Sequence, residues 1–232
     1  MEAFDFGHLA QLATTWALPV LIAITLHEAS HAYVAWKLGD DTAYALGRVT
    51  FNPLKHVDPF GTVILPALLL MTGSGFLFGY AKPVPVNFRR LKHFRRDSAL
   101  VALAGPGSNL ILALISALLL HAAVLSPTWF AEWSVQTLIN SMQLNVMLAL
   151  FNMLPLLPLD GGRVLGGILP PSLARPFFRT ERYGMMILLA LIFLLPLIGS
   201  QLGMNLNILS WILGPASDYL LHLVVTLTGL TG

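Results

Sequence analysis

Long apolar stretches alternate with short polar ones along the whole chain. The apolar stretches run over 9–38, 60–80, 99–125, 135–159, 184–198 and 206–227. Most of them approach or exceed the ~20 residues that a helix needs to cross a bilayer. The pattern predicts an all-α polytopic membrane protein with about five transmembrane helices. Two segments break the helical pattern. GRVTFNP at 47–53 alternates apolar and polar residues, and AKPVPVNF at 81–88 is held extended by its prolines. Short β-strands on the cytoplasmic side are expected there. No repeat, low-complexity tract or soluble module separates the spans, so residues 1–232 read as one integral-membrane domain.

Composition agrees. Of 232 residues, 56% are hydrophobic and only 10% charged, against about 25% charged in an average soluble domain. The mean hydropathy is +0.75, which argues against a soluble globular fold and against disorder. There are no cysteines, so disulfides and thiolate metal sites are excluded. Any metal must be held by His, Asp or Glu.

The net charge of +2 says less than where the charges lie. The opening MEAFDFGHLA has no basic region and no small-residue cleavage site, unlike a removable signal peptide. Basic residues in short loops mark the cytoplasmic side. The 38–59, 81–97 and 160–183 loops are basic, whereas the N-terminus and the 126–134 loop hold no Lys or Arg. A multi-pass protein of the cell membrane follows, with the N-terminus outside and the basic loops cytoplasmic. A full crossing of 60–80 would put two basic loops on opposite sides. That segment also carries Pro66 and Gly73-Ser74-Gly75, which spoil a straight helix. It is therefore expected to be a re-entrant hairpin.

The first span contains His27-Glu28-Ala29-Ser30-His31, a HExxH motif. With 7 His and 4 Glu in the chain, random placement gives such a match about 0.4% of the time, and the motif's mechanics are well defined. Residues four apart share a helix face, so two imidazoles can chelate one Zn²⁺. Glu28 lies about 100° further round the helix and can serve as general base for a water at the metal. At 1.5 Å per residue, His31 and His27 sit roughly 10 and 16 Å inside the Leu38 end of the helix. A catalytic zinc takes three protein ligands and keeps a fourth position open. The best candidate for the third is Asp160, bracketed by Pro155, Pro158, Gly161 and Gly162. The same pattern also suits a span that ends in an ordinary Asp-Gly turn.

His27 to His31 on a first span, Ala104-Gly105-Pro106-Gly107-Ser108-Asn109 opening a later one, and Asn152 through Gly162 closing the next resemble the site-2 protease family. These are intramembrane zinc metalloproteases. The match in order and spacing covers roughly 16–165, and the segments Gly47–Gly61 and Phe78–Asn87 resemble the compact prokaryotic branch without a PDZ domain. The core then spans 9–165, with additional C-terminal spans over 184–228. The resemblance implies one zinc per chain on His27, His31 and Asp160, with Glu28 as the base. It also implies that Asn152 helps hold the substrate or its oxyanion, and that the substrate is a transmembrane protein or peptide in the lipid bilayer. A rival from another class is a membrane metal-ion transporter or sensor that uses the same ligands, since intramembrane His and Asp mark ion paths. That rival has no need of Glu28.

The remaining polar residues carry plainer expectations. His56 is expected in a surface hydrogen bond, and His121 and His222 in helix-end or core roles. Asp97 is expected to cap the third segment. Asp218, near Gly214-Pro215, suggests a broken or interfacial helix. The six cations of 82–96 are expected to meet anionic headgroups rather than nucleic acid.

Overall fold

The computed structural model describes residues 6–64, 68 and 82–230. Eight α-helical elements follow in order among these residues: α1 (Phe6–Lys37), α2 (Thr42–Ala45), α3 (Phe94–Ala123), α4 (Thr128–Asn152), α5 (Asp160–Ile168), α6 (Pro171–Arg179), α7 (Glu181–Gln201) and α8 (Ile208–Leu227). A π-helical stretch, Ala190–Leu194, lies inside α7. Four described helices are long and apolar enough to cross a membrane: Ala13–Lys37 of α1, α3, α7 and α8. α4 is 25 residues long. It carries Glu132, Gln136, Asn140 and Asn145, which lower its apolar character.

The centre of the fold is a trio, α1, α3 and α4, each in contact with the other two. Lipid tails are as apolar as leucine, so helices in a bilayer associate through close packing and polar contacts rather than water exclusion. The sequence supplies both. Ala23, Ala32 and Ala35 of α1 and Ala113 and Ala117 of α3 are completely buried, and such small residues let the backbones approach. Polar side chains then join the helices. Asn140 Nδ2 donates to the Thr15 carbonyl at 3.3 Å, and Ser116 Oγ to Ser141 Oγ at 2.8 Å. Two of the polar residues that lower the hydropathy of α4 thus tie it to its neighbours: Asn140 bonds α1, and Asn145 Oδ1 accepts from Asn109 of α3 at 2.8 Å.

The helix starts and stops have local causes. Gly39, at φ +111°, takes the chain out of α1 in a conformation that L side chains rarely adopt. α3 begins at Phe94, earlier than the apolar run at 99. Asp97 sits in its first turn, fully buried, and accepts the backbone N–H of His93 at 2.8 Å. The carboxylate therefore serves the helix start from inside it rather than as the first flanking residue. The stretch 160–183 is mostly helical, formed by α5, α6 and the start of α7.

The strands expected over 47–53 and 81–88 are not found: the described residues contain no β-strand. The stretch 82–87 is extended, yet it is pinned without a partner strand. Lys82 N–H donates to the His56 carbonyl at 2.9 Å. Val84 and Asn87 N–H donate to the carboxylates of Glu28 and Asp40, each at 2.6 Å. Arg48 Nη2 donates to the Lys82 carbonyl at 2.7 Å. Pro83 and Pro85 have no N–H to offer a ladder. The proline-driven extension was legible; the side chains that replace a neighbouring strand were not. The expected re-entrant hairpin over 60–80 falls almost entirely outside the described residues; only the π-helical turn Pro59–Ile64 leads into it.

Candidate metal centre

His27 and His31 lie one turn apart on α1, inside the helix trio. Their Nε2 atoms are 3.0 Å apart. Asp160, the first residue of α5, brings Oδ2 to 3.3 Å from each. Zinc bonds of about 2.0–2.1 Å at tetrahedral angles put neighbouring ligand atoms about 3.3 Å apart, so these three atoms are spaced as three corners of such a shell.

The proton positions follow from the partners. His31 Nδ1 lies 2.7 Å from the Val101 carbonyl, which can only accept. His27 Nδ1 lies 2.7 Å from Asn109 Oδ1. The Asn109 amide is oriented by its own Nδ2, which donates to Asn145 Oδ1 at 2.8 Å. Asn145 in turn donates to the Ser141 carbonyl at 2.8 Å. Both Nδ1 atoms therefore carry hydrogen, and both Nε2 atoms present lone pairs. Asp160 Oδ2 is buried with no hydrogen-bond donor. Three acceptors converge with no proton among them, which is the donor set of a cation site. A Cβ on Gly105 of α3 would collide with His31 Nε2 and the His27 ring, so glycine leaves the space between α1 and α3 open. The residues fit a three-ligand zinc site.

The link from α4 to Asp160 depends on close backbone packing. Pro155 and Pro158 interrupt the helical chain after Asn152. A Cβ on Gly161 would strike the Met153 and Leu154 carbonyls, and one on Gly184 the Leu157 carbonyl. Arg163 fixes α5 further: Nη2 meets Glu181 Oε1 at 2.7 Å, and the guanidinium lies 4.3 Å from the Phe88 ring centre. The proline-glycine bracket thus leads directly into the helix that Asp160 begins.

The other expected residues fall as follows. Glu28 shares α1 with the two histidines, and its Oε2 accepts the Val84 N–H. Asn152 ends α4, where its amide donates to the Leu148 carbonyl at 3.0 Å; no described contact joins it to the metal trio. His56 does make a hydrogen bond, to the Thr50 carbonyl at 2.9 Å, but it is fully buried rather than at the surface. It supports the 82–87 stretch and stands outside the trio. His121 has the expected helix-end role, bonding the Thr228 carbonyl at 2.8 Å.

Asn109 is the functional residue that sequence reasoning left unassigned. Its only signal was the AGPGSN stretch, which is weak alone. It is fully buried, and its Oδ1 accepts from the ring of His27, one of the three residues that could hold a metal. Outer partners of this kind typically affect metal affinity 10–100-fold. Asn109→Ala is expected to weaken zinc binding by about that factor, measured by competition with a chelator of known affinity. Unchanged affinity would remove the assigned role.

A helical bundle with two histidines of a HExxH turn, a carboxylate from a separate helix and a glutamate beside the first histidine defines a membrane metallopeptidase. The model of Peptidase family M50 matches residues 122–195, which include α4 and Asp160. Over 184 residues the chain is 45% identical to "Putative zinc metalloprotease YwhC" of Bacillus subtilis (strain 168), covering 78% of this chain and 80% of the relative. It is 31% identical over 172 residues to "Putative zinc metalloprotease Rip2" of Mycolicibacterium smegmatis, covering 74% of this chain and 64% of the relative. The Rip2 protein of Mycobacterium tuberculosis H37Rv is 34% identical over 178 residues, 76% of this chain and 65% of that protein. No solved structure matches significantly. The chain belongs to peptidase family M50, the site-2 protease family.

Proposed function

We propose that the protein is a zinc-dependent endopeptidase that hydrolyses peptide bonds of transmembrane segments within the bilayer. The observation that carries this reading is the convergence of His27 Nε2, His31 Nε2 and Asp160 Oδ2, next to Glu28, among apolar helices. His27, His31 and Asp160 would hold the metal. Zinc, when bound, supplies Lewis-acid polarisation of the scissile carbonyl and acidification of a water.

The chain's own residues do the rest. Glu28 takes the proton of the attacking water and delivers it to the leaving amide nitrogen, so one carboxyl group serves both halves of the hydrolysis. Val84 N–H, bonded to Oε2, orients that carboxyl group. Asn109 and the Val101 carbonyl keep the two imidazoles facing inward. Asn152 lies eight residues before Asp160; released from Leu148, its amide supports the oxyanion that forms at the scissile carbonyl. A metal transporter with the same ligands is less favoured, because transport has no use for a base beside the first ligand.

The whole chain is one membrane domain in this reading, with α1, α3 and α4 as the crossing core and α7 and α8 completing it. The N-terminus faces outward, and the loops on either side of 60–80 both face the cytoplasm. The absence of native cysteines makes the topology directly testable. Single cysteines at Asn52 and Asn87 are both expected to react with a membrane-impermeant thiol reagent from the cytoplasmic side only. Labelling from opposite sides would make 60–80 a full span.

Purified protein in liposomes with a fluorescent transmembrane peptide and an internal zinc indicator separates protease from transporter. Zinc-dependent cleavage without metal flux is expected. Flux without cleavage would favour the transporter.

A further inference from the structure

Arg48 is a buried cation whose charge no acid balances among the described residues. It is 7% exposed, and the ion pairs of the described residues all lie elsewhere. The sequence places it directly after Gly47, whose φ of +63° turns the chain just past α2. Arg48 N–H then bonds back to the Ala43 carbonyl at 2.9 Å, which fixes the residue at the base of that turn. A guanidinium withdrawn from water is costly unless its donors are used. Nη2 is used on carbonyls: it donates to that of Lys82 at 2.7 Å and lies 3.5 Å from the Pro83 oxygen.

The Pro83 carbonyl belongs to the same peptide group as the Val84 N–H, and that N–H is the donor to Glu28 Oε2 at 2.6 Å. A peptide group is rigid and planar, and this one is trans, so its oxygen and its N–H point to opposite sides. Arg48 grips one side and Glu28 the other. The stretch has little else to hold this group still. Pro83 and Pro85 offer no N–H. The bonds to His56 and Asp40 reach Lys82 and Asn87, two and three residues from Val84. A cation at the oxygen also polarises the peptide group and strengthens its N–H as a donor to a carboxylate.

We propose that Arg48 is a positioning residue for the peptidase reaction, holding Glu28 in place through the 83–84 peptide group. This role rests on Glu28 being the general base of a peptidase. A base must meet its proton at hydrogen-bond distance, and small misplacements around a reacting group are costly in rate. Among the described residues, the Val84 N–H is the donor that meets the Glu28 carboxyl group, so the orientation of that group depends on how firmly the N–H is fixed. No described bond joins Arg48 to His27, His31 or Asp160, so its loss should leave the metal bound.

Cleavage of a transmembrane peptide by the full chain in liposomes, read together with zinc content and amide exchange, tests it. Arg48→Met removes the charge and the donors and keeps an apolar stem. It is expected to lower kcat about tenfold or more, the scale of a hydrogen bond to a charged group, with KM and zinc content unchanged. Arg48→Lys, which keeps a cation and a donor, is expected to fall between Arg48→Met and the wild type. Val84 carries the only exchangeable backbone amide of 83–85, and in Arg48→Met it should exchange faster by a similar factor. In a Glu28→Gln background, Arg48→Met should change the residual rate by less than about twofold, because no base is left to misplace. A wild type that cleaves no transmembrane peptide would fail the peptidase reading itself. A wild type that cleaves, with Arg48→Met within about twofold of it, would overturn the role of Arg48 alone. So would a loss confined to KM, a loss of zinc in both Arg48 variants, or an undiminished loss on top of Glu28→Gln.

Discussion

Asp160→Ala is expected to abolish stable zinc binding. The aspartate oxygen stands 3.3 Å from each imidazole nitrogen, and it is the only acidic ligand of the trio. Without it two neutral imidazoles remain, and catalytic zinc is held by three protein ligands. The loss should exceed the 10–100-fold typical of an outer partner, so affinity should fall by more than about a hundredfold and peptidase activity with it. The substitution removes a buried acceptor that lacks a donor, so the helices have no compensating bond to lose. Zinc per chain after dialysis against a mild chelator measures the effect. Full occupancy in Asp160→Ala would require a different third ligand.

Glu28→Gln is expected to do the opposite to the metal and the same to the reaction. Glutamine keeps an oxygen to accept the Val84 N–H, so the contact at 2.6 Å between α1 and the extended stretch survives. Both histidines and Asp160 are untouched, and zinc content should match the wild type. The amide cannot take a proton from water, and the loss of a general base costs about 10²–10⁴ in rate. The change should fall on kcat rather than KM, because Glu28 acts on the reacting water. Single-turnover cleavage of a transmembrane peptide reads it. A variant that keeps more than a tenth of the wild-type rate would mean that another group is the base.

The sequence assigned a metal to His27, His31 and Asp160 and the base to Glu28, and the structure brings the first three together. HExxH was legible because its residue types are rare in an apolar run and its spacing is helical; the structure brings both histidines onto one site. Asp160 was legible because prolines and glycines isolate it at the end of a span. Asn109 was not, since an asparagine in a glycine-rich stretch has no periodic or charge signature until its helix is placed beside His27. The extended stretch failed differently. Its prolines predicted conformation correctly, but Asp40, Glu28, Arg48 and His56 supply its partners from distant parts of the chain, and no local pattern encodes that. The start of α3 was missed because Arg95, Arg96 and Asp97 ended the apolar run while the backbone stayed helical. The helices α5 and α6 were hidden in what hydropathy marks as a loop.

Asn109 and Gly105 also show how one helix serves the centre without supplying a ligand. Gly105 keeps the space between α1 and α3 clear, and Asn109, four residues on, orients the His27 ring from the same face. Val101, four residues before Gly105, orients His31. Three positions at helical spacing on α3 thus match His27 and His31 at helical spacing on α1. The small and polar residues that allow this approach are also those that pack helices in a bilayer.

The most direct test of the account is metal-dependent proteolysis in a bilayer. Purified protein reconstituted in liposomes with a transmembrane peptide is stripped of metal by a chelator, then titrated with zinc. The account predicts that cleavage stops on stripping and returns in proportion to zinc, saturating at one ion per chain. It also predicts that the scissile bond lies within the peptide's apolar segment. Cleavage that survives removal of the metal, or that never returns although zinc refills the site, would contradict it.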